Sequence, residues 1–199
     1  MVGYGHALRD EWMDPGLFWT NIAVAQVARR QGIGSTIHNA LLDWARPQGA
    51  TSLLATVYEH VPQSVRFAEH HGYQIERHVF ESTLDLSVFD EQPLLGALDA
   101  AQAAGIRFAT MADVGDTEAA RRKLWEVESI TGVLPAYRGR GIALALKLLA
   151  IRAARQDGVR YLRTNNDAEN VPMLAVNCRL GYRPEPGYFR MRARLATSG

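Results

Sequence analysis

Two pairs of glycines constrain this chain more than any other feature. Gly32 and Gly141 stand 109 residues apart, and so do Gly72 and Gly181. Val24 and Val133 share the offset, as do Arg29 and Arg138. Agreement at one landmark is easy to reach by chance. Agreement at separate landmarks, with no net insertion between them, marks an internal repeat, and a repeat dictates architecture before local propensity does. The chain therefore reads as two related units, 1–88 and 105–199, joined by a connecting helix over 89–104.

Each unit presents the same succession of patterns. In the first, "LFWTNIAV" is rich in aromatic and β-branched residues and reads as a strand. A glycine-containing loop follows. Ile37, Ala40, Leu41, Trp44 and Ala45 then recur at helical spacing. "SLLATVYE" is a short apolar strand, "PQSVRFAEHHGY" a helix opened by Pro62 and closed by Gly72, and "ERHVFESTLDLS" an alternating strand. The second unit gives "SITGVLP", a loop, a helix over 141–156, "VRYLRTN", a helix over 171–180 and "GYFRMRARL". Ahead of these lies a strand at "IRFATMAD". The expected class is α/β of the mixed-sheet kind, two units each with a mixed β-sheet flanked by helices.

Charge and cysteine content remove several functions. Lysine and arginine number 22 against 21 acidic residues, so no global field attracts nucleic acid. The tract "YRGRG" is a single run without aromatic interleaving, which argues against single-strand binding. No apolar run reaches the ~18 residues of a membrane span, and the start lacks the pattern of a secretory signal, so a cytoplasmic location is expected, without nucleic-acid or membrane partners. Cys178 is the only cysteine and reads as a small core residue. The six histidines (His6, His38, His60, His70, His71 and His78) all fall in the first unit and read as surface or helix-end residues. His70 and His71 are adjacent and so face different sides of a helix, and no metal site is expected.

"YRGRGIALALKLLA" at 137–150 and "ARRQGIGSTIHNALLDWA" at 28–45 place arginines and glycines directly before a helix. A helix N-terminus offers free backbone N–H groups and a partial positive charge, and is a ready anion site. Glycine lets the backbone approach a phosphate, and arginine adds bidentate donors. The product is a diphosphate cradle. A P-loop needs Gly-Lys-Ser/Thr, which neither copy has, and "GRGIAL" lacks the third glycine of a dinucleotide fingerprint. The spacing present is Arg-x-x-Gly-x-Gly/Ala: Arg29, Gly32, Gly34 and Arg138, Gly141, Ala143.

That spacing resembles motif A of the GNAT superfamily of N-acetyltransferases, which bind acetyl-CoA. "TGVLP" followed by "AYRGRGIALALK", and "NDAENVPMLAVNCRLGY" with its closing Gly-aromatic pair, carry the resemblance most closely; the first unit carries it through the weaker copy. Two such units in one chain resemble the tandem GNAT proteins, an arrangement of which mycothiol synthase is one kind, here shortened. The resemblance implies that the strand before each loop splays from its neighbour and offers its backbone to the pantetheine arm: Thr131, Gly132 and Val133 in the second unit, Ala23 and Val24 in the first. It implies a diphosphate cradle at Arg138, Gly139, Arg140, Gly141, Ile142 and Ala143, and another at Arg29, Arg30, Gln31, Gly32, Ile33 and Gly34. Asn170 matches an asparagine that contacts the cofactor near the thioester; its other reading is a helix N-cap.

The implied reaction is attack of an amine on the thioester, which needs a neutral amine, a group to take its proton, and stabilisation of the leaving thiolate. Many family members use a tyrosine four residues before the Gly-aromatic pair for the last task. That place holds Asn177 in the second unit and Ala68 in the first. Asparagine can donate a hydrogen bond to a thiolate; alanine offers nothing. The second unit is thus the expected active one, with Asn177 and, as base candidate, Glu128 near the entrance to the splayed strand; Glu59 is its counterpart in the first unit. The implied function is an acetyl-CoA-dependent N-acetyltransferase acting on the amine of a small molecule. The alternative is a non-catalytic acyl-CoA-binding or interaction module that kept the cradle and lost the acceptor site. "WEVESITGV" joins helix to strand with no turn residue, which suggests that segments of a full tandem protein are missing there and at the start.

Overall fold

The computed structural model describes residues 1–11, 13–119, 121–122 and 133–196. In chain order these form β1 (Gly3–Leu8), β2 (Leu17–Val24), α1 (Ile33–Ala45), β3 (Ser52–Tyr58), α2 (Pro62–His70), β4 (Gln74–Asp85), α3 (Gly96–Ala103), α4 (Ile142–Gln156), β5 (Tyr161–Asp167), α5 (Val171–Arg179), β6 (Arg183–Pro184) and β7 (Tyr188–Arg194). Among the described residues, no helix is long and apolar enough to cross a membrane.

The repeat is visible in the helix ends. α2 closes with Gly72 at φ +80° and α5 with Gly181 at φ +82°. In the first, the Tyr73 N–H bonds to the Ala68 carbonyl and the Gly72 N–H to that of Glu69; in the second, Tyr182 bonds to Asn177 and Gly181 to Cys178. Both are Schellman caps, which explains why each repeat needs its Gly-Tyr pair.

The chain forms two compact units: one of residues 1–80, 167–169 and 186–199, the other of 81–166 and 170–185. These differ from the division at 89–104 that the sequence suggests. In the first unit β1 pairs antiparallel with β2, β2 runs parallel to β3, and β3 pairs antiparallel with β7, which also pairs antiparallel with the start of β4. β7 belongs to the second repeat by sequence, yet its Met191 is fully buried in the first unit's core with Phe18, Leu53 and Val57. In the second unit the far end of β4 pairs with β6 and lies beside β5. Shifted by 109 residues, Val79–Asp85 of β4 coincides with Tyr188–Arg194 of β7. Strands related by the 109-residue offset thus pair in opposite halves of the chain: β7 pairs with β3 in the first unit, and the far end of β4 pairs with β6 in the second. The second unit's core is Leu84, Leu86, Leu144, Leu148, Ile151 and Leu180, with Leu94.

Three expectations need correcting. Strand β1 precedes the strand at which the sequence opens the first unit. Its inward positions are Gly3, Gly5 and Ala7; Ile37 of α1 rests on the two glycines, and a Cβ at Gly5 would collide with Ile37 Cγ2. "IRFATMAD" is not a strand. Thr110 N–H and Oγ1 both donate to Asp113 Oδ2 at 2.7 Å, and this local turn displaces extended pairing. Ile106 and Phe108 still pack, against Leu98, Ala101 and Ala145. Cys178 is exposed on α5, because that helix turns Asn177 inward instead.

Candidate functional site

Both arginine–glycine loops fold alike. Each runs from a short 3₁₀ turn (Gln26–Ala28, Pro135–Tyr137) into a helix whose N-cap is a glycine in the left-handed region, Gly32 at φ +78° and Gly141 at φ +73°. Arg29 Nε donates to the Val24 carbonyl at 3.1 Å, and Arg138 Nε to that of Val133 at 3.0 Å. Gln31 reaches back to the Val27 carbonyl as Arg140 does to that of Ala136. The first guanidinium of each loop thus braces the turn. Arg140 also lies over the Tyr137 ring, 5.2 Å from its centroid. Arg30 stands at φ +62° where the second repeat has Gly139 at φ +76°, so the first loop holds a non-glycine residue in a strained region. Neither helix has a side-chain hydrogen bond at its N-cap or an acidic residue in its first turn, so the leading amides of Ile33, Gly34 and of Ile142, Ala143 meet no competing anion from their own turn.

What differs is the ground in front of the loops. In the first unit, β2 and β3 pair from Leu17↔Ser52 to Thr20↔Ala55 and then part. β2 stays with β1 as far as Val24↔Gly3, and β3 stays with β7 as far as Tyr58↔Tyr188. The gap is a cleft of about 650 Å³ lined by Asn21–Val24 on one wall, Ala55–Tyr58 on the other, and Arg29, Arg30, Gly32 and Gly34 at its mouth. Ala23 and Val24 are therefore where the resemblance places them. Arg66 also lines the cleft, and among the described residues no carboxylate does. A Cβ at Gly32 would meet nothing within 4 Å, so the space over the cradle is open. An extended amide-bearing arm with a diphosphate at one end fits this shape: strand edges for the amides, unopposed helix amides and guanidinium groups for the phosphates. In the second unit, Glu128, Thr131 and Gly132 lie outside the described residues, and Val133 lies outside any described strand.

The cleft is floored by residues the sequence misjudged. His38 of α1 is 4% exposed, lines the cleft, and has no hydrogen-bond partner for either ring nitrogen among the described residues. Its ring lies 4.3 Å from that of His71 and meets Tyr73 edge-on at 5.8 Å. His71 Nε2 is 3.0 Å from Ser35 Oγ. Thr20 Oγ1 donates to the Leu54 carbonyl at 3.1 Å, which leaves the Tyr73 hydroxyl, also at 3.1 Å, to donate to Thr20. Burial lowers the His38 pKa from its ordinary 6.5, with Asn39 opposing, and lowers that of His71, helped by the charges of His38 and His70. Both are neutral imidazoles at pH 7. Burial raises the Tyr73 pKa, so it stays a phenol. Ala68 faces the same cleft. The proton-bearing group absent at position 68 is thus available one helix away, at His38. The repeat-related residue is Lys147, which burial also perturbs, downward, and whose Nζ lies 5.1 Å from the centroid of Tyr182.

The two histidines set a pH dependence of stability. Between their lowered folded values and 6.5, the unfolded chain binds more protons than the folded one, so stability rises with pH there. It is fully present above about 6.5 and is lost as pH falls through the folded values. The melting temperature is expected to fall between roughly pH 7 and 5, above the range where ordinary carboxylates titrate, and His38→Leu to flatten that slope. An unchanged slope in the variant, measured by circular dichroism, would remove His38 from this role.

Two second-unit candidates are already committed. Asn177 is 2% exposed, and its Nδ2 donates to Asn166 Oδ1 at 2.6 Å, while Asn166 Nδ2 donates to Ser82 Oγ at 2.8 Å. It ties α5 to β5 and β4 rather than facing a cleft. Asn170 accepts from the Met173 N–H at 3.3 Å, the N-cap reading. Glu59 is held by the Gly187 N–H at 2.8 Å and by His78 Nε2 at 2.5 Å, and the first of these chiefly lowers its pKa, so it is a carboxylate anchored inside the first unit.

The sequence model of the Acetyltransferase (GNAT) family matches residues 1–73 and 90–182. Among solved structures, the chain is similar to a tandem GNAT protein from the clavulanic acid biosynthesis pathway, at 19% identity and a TM-score of 0.62, over 100% of this chain and 80% of that one. It is also similar to a GCN5-related N-acetyltransferase from Sphaerobacter thermophilus, at 19% identity and a TM-score of 0.59, over 98% and 78%. A glucosamine N-acetyltransferase region of a fungal multi-domain β-N-acetylglucosaminidase gives 15% identity and a TM-score of 0.59, over 96% and 31%. No curated protein sequence matches the chain. At these identities the likeness is one of fold.

Proposed function

Because the chain belongs to the GNAT family of acetyltransferases, which use acetyl-CoA, we propose that it is an N-acetyltransferase acetylating the amine of a small molecule in the cleft of its first unit. The observation that carries this reading is the parting of β2 from β3 after Thr20↔Ala55, directly before the uncapped N-terminus of α1. The tandem arrangement is part of the proposal, with the second loop keeping the cradle shape while Asn177 serves the fold. So are a cytoplasmic location, where acetyl-CoA is supplied, and action on free small molecules without nucleic-acid or membrane partners.

Bound acetyl-CoA would supply an activated acetyl thioester. The chain's residues do the rest. The edges of Asn21–Val24 and Ala55–Tyr58 align an extended arm, and the amides ahead of α1, with Arg30 and Arg66, hold its anionic end. Neutral His38 keeps one proton on a ring nitrogen in the cleft wall, where neither nitrogen has a hydrogen-bond partner of good geometry among the described residues. Charge developing on a leaving sulfur would find that N–H, and the thiolate, whose ordinary pKa is about 8.5, could then take up the proton shed by the attacking amine to leave as the thiol.

The test is thiol release from acetyl-CoA with a panel of small amines. Turnover is expected, with His38→Ala lowering kcat about 100-fold while acetyl-CoA affinity stays within about threefold. Tight acetyl-CoA binding with no turnover on any amine would instead establish the non-catalytic acyl-CoA-binding module.

A further inference from the structure

The acceptor's chemistry is written on β7. Arg190, Arg192 and Arg194 alternate along that strand and so project from one face of the first unit's sheet. Arg190 stands opposite Thr56 of β3 on one side and Arg77 of β4 on the other. Like charges directly opposite each other destabilise a sheet, and Arg77 is drawn off toward Asp167, 3.5 Å away. Arg190 and Arg192 share one carboxylate, Glu76, which the bulge between Ile75 and Arg77 brings to them. Its Oε1 lies 2.8 Å from Arg192 Nη2 and its Oε2 lies 3.4 Å from Arg190 Nη2.

One carboxylate leaves this group short of negative charge and of acceptors. The Nε atoms of both Arg190 and Arg192 are buried without a hydrogen-bond partner among the described residues. A buried donor left unmade is a standing penalty unless an acceptor arrives. Beside Arg192 is an open cavity of about 500 Å³, lined also by Thr51, Ser52, Glu76, Arg194 and Leu195. Thr56, the neighbour of Arg190 across β3 and β7, itself lines the β2–β3 cleft. Adjacent strands are about 4.8 Å apart. Arg190 therefore lies one strand spacing from the cleft wall, and Arg192 follows it two residues along the same face of β7, away from the cleft.

We infer that Arg190 and Arg192 bind the carboxylate of the acceptor, so that the substrate class is a short amino acid whose amine reaches the cleft past Thr56. This rests on the transfer reading above and names its acceptor. Rotation of the guanidinium forks toward the cavity lets their buried Nε–H donors meet the carboxylate oxygens, with Arg194 adding charge at the rim. A neutral amine of the same length gains none of this.

The experiment compares β-alanine with 3-amino-1-propanol as acceptors. The wild-type protein is expected to show a kcat/KM at least tenfold higher for β-alanine. Arg192→Gln and Arg190→Gln are expected to raise KM for β-alanine tenfold or more, to leave kcat within about twofold, and to leave the alcohol unaffected. Equal use of both amines by the wild type, or an equal loss on both amines in the variants, overturns the inference; the wild-type comparison needs no variant to fold. A second arm uses succinate, which has no amine to acetylate. Succinate is expected to raise the melting temperature of the wild type and not of Arg192→Gln. That shift without turnover on any amine would leave the carboxylate site standing and fell the transfer reading alone. No shift with succinate, or a larger one with inorganic phosphate, overturns the carboxylate assignment.

Discussion

Gly32→Glu is expected to abolish acetyl-CoA binding to the first unit, raising Kd by about 100-fold or more. Gly32 is the N-cap of α1, and space above it is open, so a side chain there would project into the cradle rather than into the protein. A carboxylate about 4 Å from one phosphate charge opposes it by about 4 kcal/mol at an effective dielectric near 20, enough by itself for the loss. Gly32 also sits at φ +78°, which costs a residue with a Cβ about 1–2 kcal/mol. Gly32→Ala separates the two effects: it carries the backbone penalty without the charge and is expected to bind with a Kd within about tenfold of wild type. Gly141→Glu, in the loop with no described cleft before it, is expected to leave first-unit binding intact. Isothermal calorimetry on the three variants decides. Unchanged affinity in Gly32→Glu would remove this loop from the site.

The second large effect concerns stability. Met191 is fully buried on β7, opposite Ala55 on one side and Ile75 on the other, within the core formed by Phe18, Leu53 and Val57. Met191→Ala is expected to destabilise by about 2–5 kcal/mol, from lost burial and the cavity left behind. The sharper expectation is where that loss is felt. Met191 belongs to the second repeat by sequence, yet β3, which β7 supports, is a wall of the first unit's cleft. Urea unfolding followed by tryptophan fluorescence in a Trp125→Phe background, where the remaining Trp12, Trp19 and Trp44 all lie in the first repeat, is expected to shift to lower urea concentration. A variant that left the first-repeat signal in place would contradict the pairing of β7 in the first unit.

Much of this was legible in the residues. The 109-residue offset foretold two loops of one geometry, and the loops do share their 3₁₀ turn, their left-handed N-cap and their arginine brace. The Gly-Tyr pairs marked helix ends because only a residue tolerant of positive φ closes a Schellman cap. The pairing of β4 and β7 was not legible. "FRMRAR" alternates as a strand should, but alternation says which residues share a face and nothing about which sheet receives them. β1 was hidden by the very glycines that let α1 lie on it. The buried face of α1 was misjudged in part: of the periodic set Ala45 is buried but Ala40 and Trp44 are exposed, whereas His38, outside the set, points inward. A histidine on an otherwise apolar face gives no sign in sequence of whether it is packed or solvated, and so the site's most chemically capable side chain was passed over. The arginines of β7 were equally silent, since their meaning depends on Thr56 and Glu76, brought beside them only by the fold.

The place of β7 carries a consequence for biosynthesis. The first unit's sheet lacks a central member until Tyr188–Arg194 has been synthesised, so an emerging polypeptide holds an unfinished edge on β3 for most of its translation.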